Sequence, residues 1–337
     1  MREALFFTPR DDRKVACLLC PQRCVIAPGK TGVCRQRRNV DGTLYTLNYA
    51  AVSSAALDPV EKKPLYHFYP GHTIFSVGTV GCNLHCRFCQ NWEIAHGDAP
   101  TTVITPEELV RLAREEAARG PCVGIAYTYN EPLIWYEYVH DAAVLARRAG
   151  LKNVLVTNGF VEEEPFAKLL PYIDAMNIDV KSFTDDYYRK ICGGRLEPVL
   201  RTVERAVKYC HVELTTLVVT GLNDGPEEIG RLVDWIAGLD PAIPLHFSRY
   251  FPRYRMETPA TPIATLRQAR AIAQKKLHHV YLGNVDDPEA GHTYCPRCGQ
   301  AVIERLGYLV RAVRLEGNRC ARCGEPLNIV GEARVNF

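Results

Sequence analysis

From about Thr73 to Asn284, short β-branched or aromatic runs alternate with segments whose apolar residues recur at helical spacing. Such alternation is the mark of parallel strands joined by crossover helices. The runs TIFSVGTV, VGIAYTY, NVLVT, AMNIDV, VELTTLVVT, PLHFSRY and HVYLGN are predicted strands. Helix-start signals stand between them. Thr105-Pro106-Glu107-Glu108 precedes the stripe of Leu109, Leu112 and Ala113, and Pro226-Glu227-Glu228 and Thr261-Pro262 open later segments in the same way. Six or seven such units suit a partial or full (β/α) barrel, whose functional groups gather at the carboxyl ends of its strands. A Rossmann sheet is the competing α/β topology. No Gly-rich dinucleotide fingerprint follows the first strand, where the chain enters a cysteine loop instead.

Outside this region the periodicity lapses. The stretch CLLCPQRCVIAPGKTGVC, carrying Cys17, Cys20, Cys24 and Cys34, is rich in Pro and Gly and reads as a loop-built knuckle. After about Asp287 a second cysteine-rich stretch begins. The expected division is residues 1–70 as an N-terminal extension, 71–287 as the α/β domain and 288–337 as a small C-terminal domain.

A chain of 337 residues has room for one large domain with appendages, since single cores stop growing at roughly 250–300 residues. With 47% hydrophobic and 23% charged residues it has an ordinary globular composition. A net charge of +3 is compatible with an anionic substrate. It falls short of the basic patches of a nucleic-acid binder, so nucleic acid is neither excluded nor indicated. The first residues lack the apolar core of a secretory signal, and no apolar run approaches the ~20 residues that span a bilayer. A cytoplasmic protein with no membrane attachment is expected. In that reducing compartment fourteen cysteines point to metal rather than to disulfides. Cys122, Cys192 and Cys210 lie outside the clusters and read as ordinary small buried residues.

The loop GCNLHCRFCQNW places Cys82, Cys86 and Cys89 three and two residues apart, directly after the first strand of the α/β region. Three thiolates on a tight loop can hold three corners of a [4Fe-4S] cubane and leave one iron open to a ligand. A closed cluster or a structural zinc site needs a fourth ligand, for which His85 is the nearest candidate. Other polar residues end later strands. Glu131 follows GIAYTYN, Thr157 and Asn158 lie in VTNGF, and Asn177, Asp179 and Lys181 alternate along one strand face. Each also has a structural reading: Glu131 as an acid at a helix start before Pro132, and Asp179 with Lys181 as an internal ion pair. His246, with Arg249 and Tyr250 beside it, is a candidate site residue at the end of the sixth strand, or equally a satisfied core histidine.

Cys295-Pro-Arg-Cys298-Gly and Cys320-Ala-Arg-Cys323-Gly have the spacing of a zinc ribbon, with rubredoxin-type iron as the alternative occupant. The group of Cys17, Cys20, Cys24 and Cys34 can complete a tetrahedron around zinc or hold a second Fe-S cluster.

The cysteine spacing, with aromatic Phe88 before the last cysteine, resembles the signature of the radical S-adenosylmethionine (SAM) superfamily. The resemblance implies a radical SAM barrel, a [4Fe-4S] cluster on Cys82, Cys86 and Cys89, and reductive cleavage of SAM to a 5′-deoxyadenosyl radical that abstracts hydrogen from substrate. Relatives resembling pyruvate formate-lyase activating enzyme bind the SAM amino group with a Gly-Gly-Glu-Pro sequence. Here Tyr129 and Asn130 stand at the glycine places, and Glu131 keeps the carboxylate. Thr157, Asn158, Asp179 and Lys181 fall where those relatives bind the ribose and carboxylate of SAM. The N-terminal knuckle, GCNLHCRFCQNWEI, and LHFSRY to LGNV followed by CPRCG together resemble the AmmeMemoRadiSam system radical SAM enzyme, over roughly Cys17 to the end. That resemblance implies Ammecr-type and Memo-type protein partners, and an electron donor such as flavodoxin or ferredoxin. The alternatives are a glycyl-radical enzyme activase and a zinc-bearing nucleic-acid-binding or scaffold protein.

Overall fold

The computed structural model describes residues 1–287 and 289–336. The expected domain start at 288 and the end at 337 lie outside the described residues. Each of the seven predicted strands forms, and all belong to one sheet. In chain order its strands are β1 (Ser54–Pro59), β2 (Thr73–Gly78), β3 (Cys122–Tyr127), β4 (Lys152–Thr157), β5 (Ala175–Asp179), β6 (His211–Val218), β7 (Leu245–Arg249) and β8 (Val280–Gly283). Every strand pairs with its neighbour in sequence, β1 antiparallel to β2 and all others parallel. A Rossmann sheet would reverse its strand order at a switch point, and this one does not. The expected barrel takes its partial form. Among the described residues β1 and β8 are the two unjoined edges, so the full barrel does not close.

The strands are buried along nearly their whole length, because crossover helices cover them and the pattern is continuous rather than alternating. The helices include α1 (Pro106–Arg119), α2 (Tyr136–Arg148), α3 (Glu163–Leu169), α4 (Leu196–Ala206), α5 (Pro226–Leu239) and α6 (Ile263–Ala273). At the start of α1, Thr105 Oγ1 accepts the N–H of Glu108 at 3.2 Å and Pro106 takes the first turn, as its spacing predicts. No helix among the described residues is long and apolar enough to cross a membrane.

The sheet draws in residues 54–59, upstream of residue 71, and the flanking pieces are fastened to it. In the C-terminal piece, β9 (Ala301–Leu306) and β10 (Leu309–Val313) form a hairpin. Arg305 of β9 is buried against Glu61 at 3.3 Å and donates to the Tyr66 carbonyl at 2.7 Å. The Val330 N–H donates to the His67 carbonyl, extending the contact along the chain.

A polar node sits inside the core beneath β6. Glu213, fully buried, accepts the His67 backbone N–H at 2.7 Å, His211 Nε2 at 3.0 Å and His246 Nε2 at 2.7 Å. Burial opposes ionisation here, but the bonds from His211 and His246 outweigh it and hold the carboxyl well below its usual range. A depressed carboxyl stabilises the fold above its unfolded value of about 4.5, and that contribution is lost as pH falls below it. Breaking the node leaves buried partners unsatisfied, so Glu213→Gln should destabilise the chain by about 3 kcal/mol. Urea midpoints with an unchanged slope would show it; a loss under about 0.5 kcal/mol would contradict the account.

Candidate active site

The loop after β2 runs across the carboxyl edge of the sheet and is tied to it at several points. The Thr79 N–H donates to Asn130 Oδ1 at 3.1 Å, and Asn130 Nδ2 donates to the Gly81 carbonyl at 2.7 Å. Asn83 Nδ2 donates to the Phe160 carbonyl at 2.7 Å, while the His85 N–H donates to the Cys192 carbonyl. The loop is thereby fixed to the ends of β3 and β4 and to the turn around Cys192. Cys82, Cys86 and Cys89 face one cavity of about 560 Å³, a size suited to a small-molecule ligand.

Burial pushes the Cys82 thiol well up and that of Cys89 to about 11. Cys86 goes the other way, because the neighbouring Cys192 favours its thiolate. Cys82 Sγ accepts the Leu84 N–H at 3.4 Å and lies 3.7 Å from Asn158 Nδ2. Among the described residues these sulfurs do not gather within 4.8 Å of one another as a single-ion site would. Wide-set thiols over a cavity could hold three corners of a cubane. His85, the alternative fourth ligand, turns away to stack on His96, with ring centroids 5.0 Å apart.

The cavity also collects most of the expected strand-end residues. Glu131, Thr157, Asn158, Asp179 and Lys181 all line it. Glu131 Oε1 accepts the Leu133 N–H at 2.9 Å and the Thr157 hydroxyl at 2.6 Å, and Oε2 accepts the Asn158 N–H at 2.8 Å. It is therefore both an acid at a helix start and part of the cavity wall. Burial pushes its carboxyl up to about 7, despite these donors. Asp179 and Lys181 form the expected pair at 3.0 Å, and both still reach the cavity. His246 does not. It belongs to the Glu213 node and packs edge-on against Tyr66 at 4.8 Å. Arg249 donates to the Thr261 carbonyl at 2.7 Å, and Tyr250 is buried.

Several residues at the cavity gave no signal in the strand pattern. Lys62 and Lys63 precede Pro64, where a pair of lysines reads as surface charge. Lys63 is instead buried, bonded to Asp58 at 2.6 Å and set over the Tyr129 ring at 4.5 Å. The Tyr129 hydroxyl donates to the same Asp58 at 2.6 Å. Tyr129 also adopts φ +70°, a left-handed conformation costing a side-chain-bearing residue roughly 1–2 kcal/mol. The site holds this strain through the Asp58 contact and the Tyr129 carbonyl, which accepts Asn91 Nδ2 at 2.5 Å. Tyr308 reaches the cavity from the β9–β10 turn, far from any strand end of the main sheet. Cys192, expected to be an ordinary small buried residue, lies beside Cys86 and favours its thiolate.

The C-terminal cysteines form a different kind of site. The sulfur atoms of Cys295, Cys298, Cys320 and Cys323 all lie within 4.8 Å of one another. Cys295 and Cys323 are 3.6 Å apart, and Cys298 and Cys320 3.7 Å. Gly299 and Gly324 take φ +69° and +72°, which turns each knuckle back on itself. This group could bind zinc or iron in a tetrahedron.

A family model described as the Radical SAM superfamily matches residues 76–236, which include the cysteine loop and the cavity-lining ends of β3 to β5. The chain belongs to the radical SAM superfamily. It is a radical SAM enzyme, and the cofactors of that superfamily are a [4Fe-4S] cluster and SAM. An uncharacterised protein of Methanocaldococcus jannaschii is 44% identical over 98% of this radical SAM enzyme and 100% of its own length. The GTP 3′,8-cyclase of Geobacter sulfurreducens is 32% identical over 52% of the enzyme, which spans 53% of that relative. Pyruvate formate-lyase 1-activating enzyme of Escherichia coli is 26% identical over 48% of the enzyme and 72% of its own length. Among solved structures, Streptococcus suis SuiB bound to S-adenosylmethionine has a similar fold, with a TM-score of 0.52 and 14% identity over 68% of this chain and 54% of that one.

Because the ribbon carries the hairpin that brings Tyr308 to the cavity, a metal bound there would hold that wall in place. Cys298→Ala is expected to lose about one metal ion per chain and lower the thermal midpoint. A variant that keeps its full metal and melting temperature would overturn the ribbon assignment.

Proposed function

We propose that Cys82, Cys86 and Cys89 hold the [4Fe-4S] cluster, and that the enzyme uses it to cleave SAM reductively and abstract hydrogen from a substrate not yet identified. The observation that carries this reading is the shared cavity, where three wide-set sulfurs face Glu131, Thr157, Asn158, Asp179 and Lys181. When bound, the cluster supplies the electron that breaks the sulfonium bond of SAM. The chain's own residues bind and orient. The Glu131 carboxylate pairs with the methionine ammonium, and the Thr157 and Asn158 donors fix that carboxylate in place. Asp179 and Lys181 take the ribose and carboxylate ends, with the Asp179–Lys181 contact setting the Lys181 direction. Lys63, Tyr129 and Tyr308 wall off the remaining side, where substrate enters and water is kept from the radical.

In this reading Ammecr-type and Memo-type proteins are the partners that present substrate or receive product, and a flavodoxin or ferredoxin supplies electrons. The Escherichia coli activating enzyme favours a second reading, in which the hydrogen is taken from a backbone glycine of a partner enzyme. A glycyl-radical EPR doublet in such a partner after incubation would select it.

Adding SAM to the reduced, reconstituted enzyme should change the g-values of its EPR signal; an unchanged spectrum would contradict the open-iron arrangement. Glu131→Gln should weaken SAM binding about 10- to 150-fold, the worth of a charge-assisted hydrogen bond. The Glu131 carboxyl titrates near 7, and its ionised form is the partner of the ammonium. SAM affinity should therefore rise with pH through about 7 and level off above it, and Glu131→Gln should flatten that profile. A wild-type affinity independent of pH would remove Glu131 from the ammonium site.

A further inference from the structure

The four N-terminal cysteines take no part in the chemistry above. Cys17, Cys20, Cys24 and Cys34 surround one void, brought together by the antiparallel strands Phe7–Pro9, Val15–Cys17 and Val25–Ile26. Leu19 and Ile26 close it on the apolar side. The space open to the centre of a water-sized sphere is about 10 Å³. A single zinc ion would lie about 2.3 Å from each sulfur, hold the sulfurs about 3.8 Å apart and leave no such space. The C-terminal ribbon meets that description, with sulfur pairs at 3.6 and 3.7 Å. Among the described residues the N-terminal sulfurs do not gather within the 4.8 Å that the ribbon sulfurs meet. The sulfur ligands of a cubane stand wider, roughly 6 Å apart around a core that fills the space between them.

Two further features suit an anionic cluster with sulfide acceptors. The Val33 N–H donates to Cys24 Sγ at 3.4 Å, and the backbone at Leu19, Gln22 and Gln36 favours the thiolates of Cys17, Cys20 and Cys34 against the burial that raises them. Arg37 lines the same void, is 1% exposed, and its Nε finds no acceptor in the protein. A buried donor without a partner is costly, and a cluster sulfide would satisfy it.

We propose that Cys17, Cys20, Cys24 and Cys34 bind a second [4Fe-4S] cluster. Its place gives it a role that rests on the SAM reading above. The knuckle touches the active-site loop directly: Gly81, at φ +94°, lets the Cys34 carbonyl come so close that a Cβ there would sit 2.6 Å from it. Gln22 Nε2 donates to the Asn83 carbonyl at 2.8 Å. Val33 donates its N–H to Cys24 Sγ at 3.4 Å, and Gln22 Nε2 also donates to the Gly193 carbonyl at 2.7 Å, beside Cys192. The second cluster is the entry point for electrons. A reduced flavodoxin or ferredoxin gives it one electron, taking it from the 2+ to the 1+ state. That electron then passes to the cluster at Cys82, Cys86 and Cys89, with no bond made or broken in either transfer.

The test is anaerobic reconstitution with iron, sulfide and zinc, followed by metal analysis and EPR. Wild-type protein should hold about eight irons and about one zinc per chain. Cys82→Ala/Cys86→Ala/Cys89→Ala should keep about four irons and a reduced-cluster EPR signal. Cys17→Ser/Cys20→Ser should also keep about four, with the signal that SAM perturbs. About four irons and two zincs in the wild type would overturn the second cluster, whatever the variants do. Mixed with flavodoxin hydroquinone in a stopped-flow cell, the triple alanine variant should take up one electron per chain. If it carries its four irons yet takes none, the entry role falls and the cluster stands. If SAM leaves the wild-type EPR signal unperturbed, the SAM reading falls while the iron count still decides the second cluster.

Discussion

All seven parallel-running strands of the sheet end at one edge, and the rest of the molecule depends on that constraint. Parallel pairing in chain order forces each crossover helix onto the face of the sheet, so polar groups at successive strand ends collect along a single line. The loop after β2, Glu131 after β3, Thr157 and Asn158 at β4, and Asp179 and Lys181 at β5 meet there because the topology leaves them nowhere else to go. The site is a property of strand order first and of individual residues second.

Much of this was legible before the fold was known, because buried parallel strands announce themselves as continuous apolar runs and helix starts by Pro and acidic residues. The strand ends could be placed, and hence most of the cavity lining. What escaped were features set by contacts distant in sequence. Lys63 reads as surface charge until Asp58 and the Tyr129 ring enclose it. His246 is the second residue of β7, short of the carboxyl end where the cavity lies, and it turns to Glu213, whose other partners lie on β6 itself and before β2. Tyr308 and Cys192 arrive from elements whose docking no local pattern encodes. Barrel closure likewise depends on the edge strands: β1 is antiparallel and remains an open edge opposite β8.

The flanking cysteine pieces are part of the same construction. The ribbon is clamped to the turn before β2 by the buried Glu61–Arg305 pair, and through its hairpin it sets one wall of the cavity. The N-terminal knuckle leans against Gly81 and Asn83 of the active-site loop. Among the described residues the ribbon sulfurs alone of the three cysteine groups gather within 4.8 Å of one another, and such spacing separates a single ion from a cluster more sharply than cysteine count does.

The most direct test of the account is the formation of 5′-deoxyadenosine from SAM by the anaerobically reconstituted, reduced enzyme. The wild-type chain should form it, and the chain lacking Cys82, Cys86 and Cys89 should form none while keeping its ribbon metal. Equal formation by both, or none by a wild-type chain that carries its full complement of iron, would contradict the central claim.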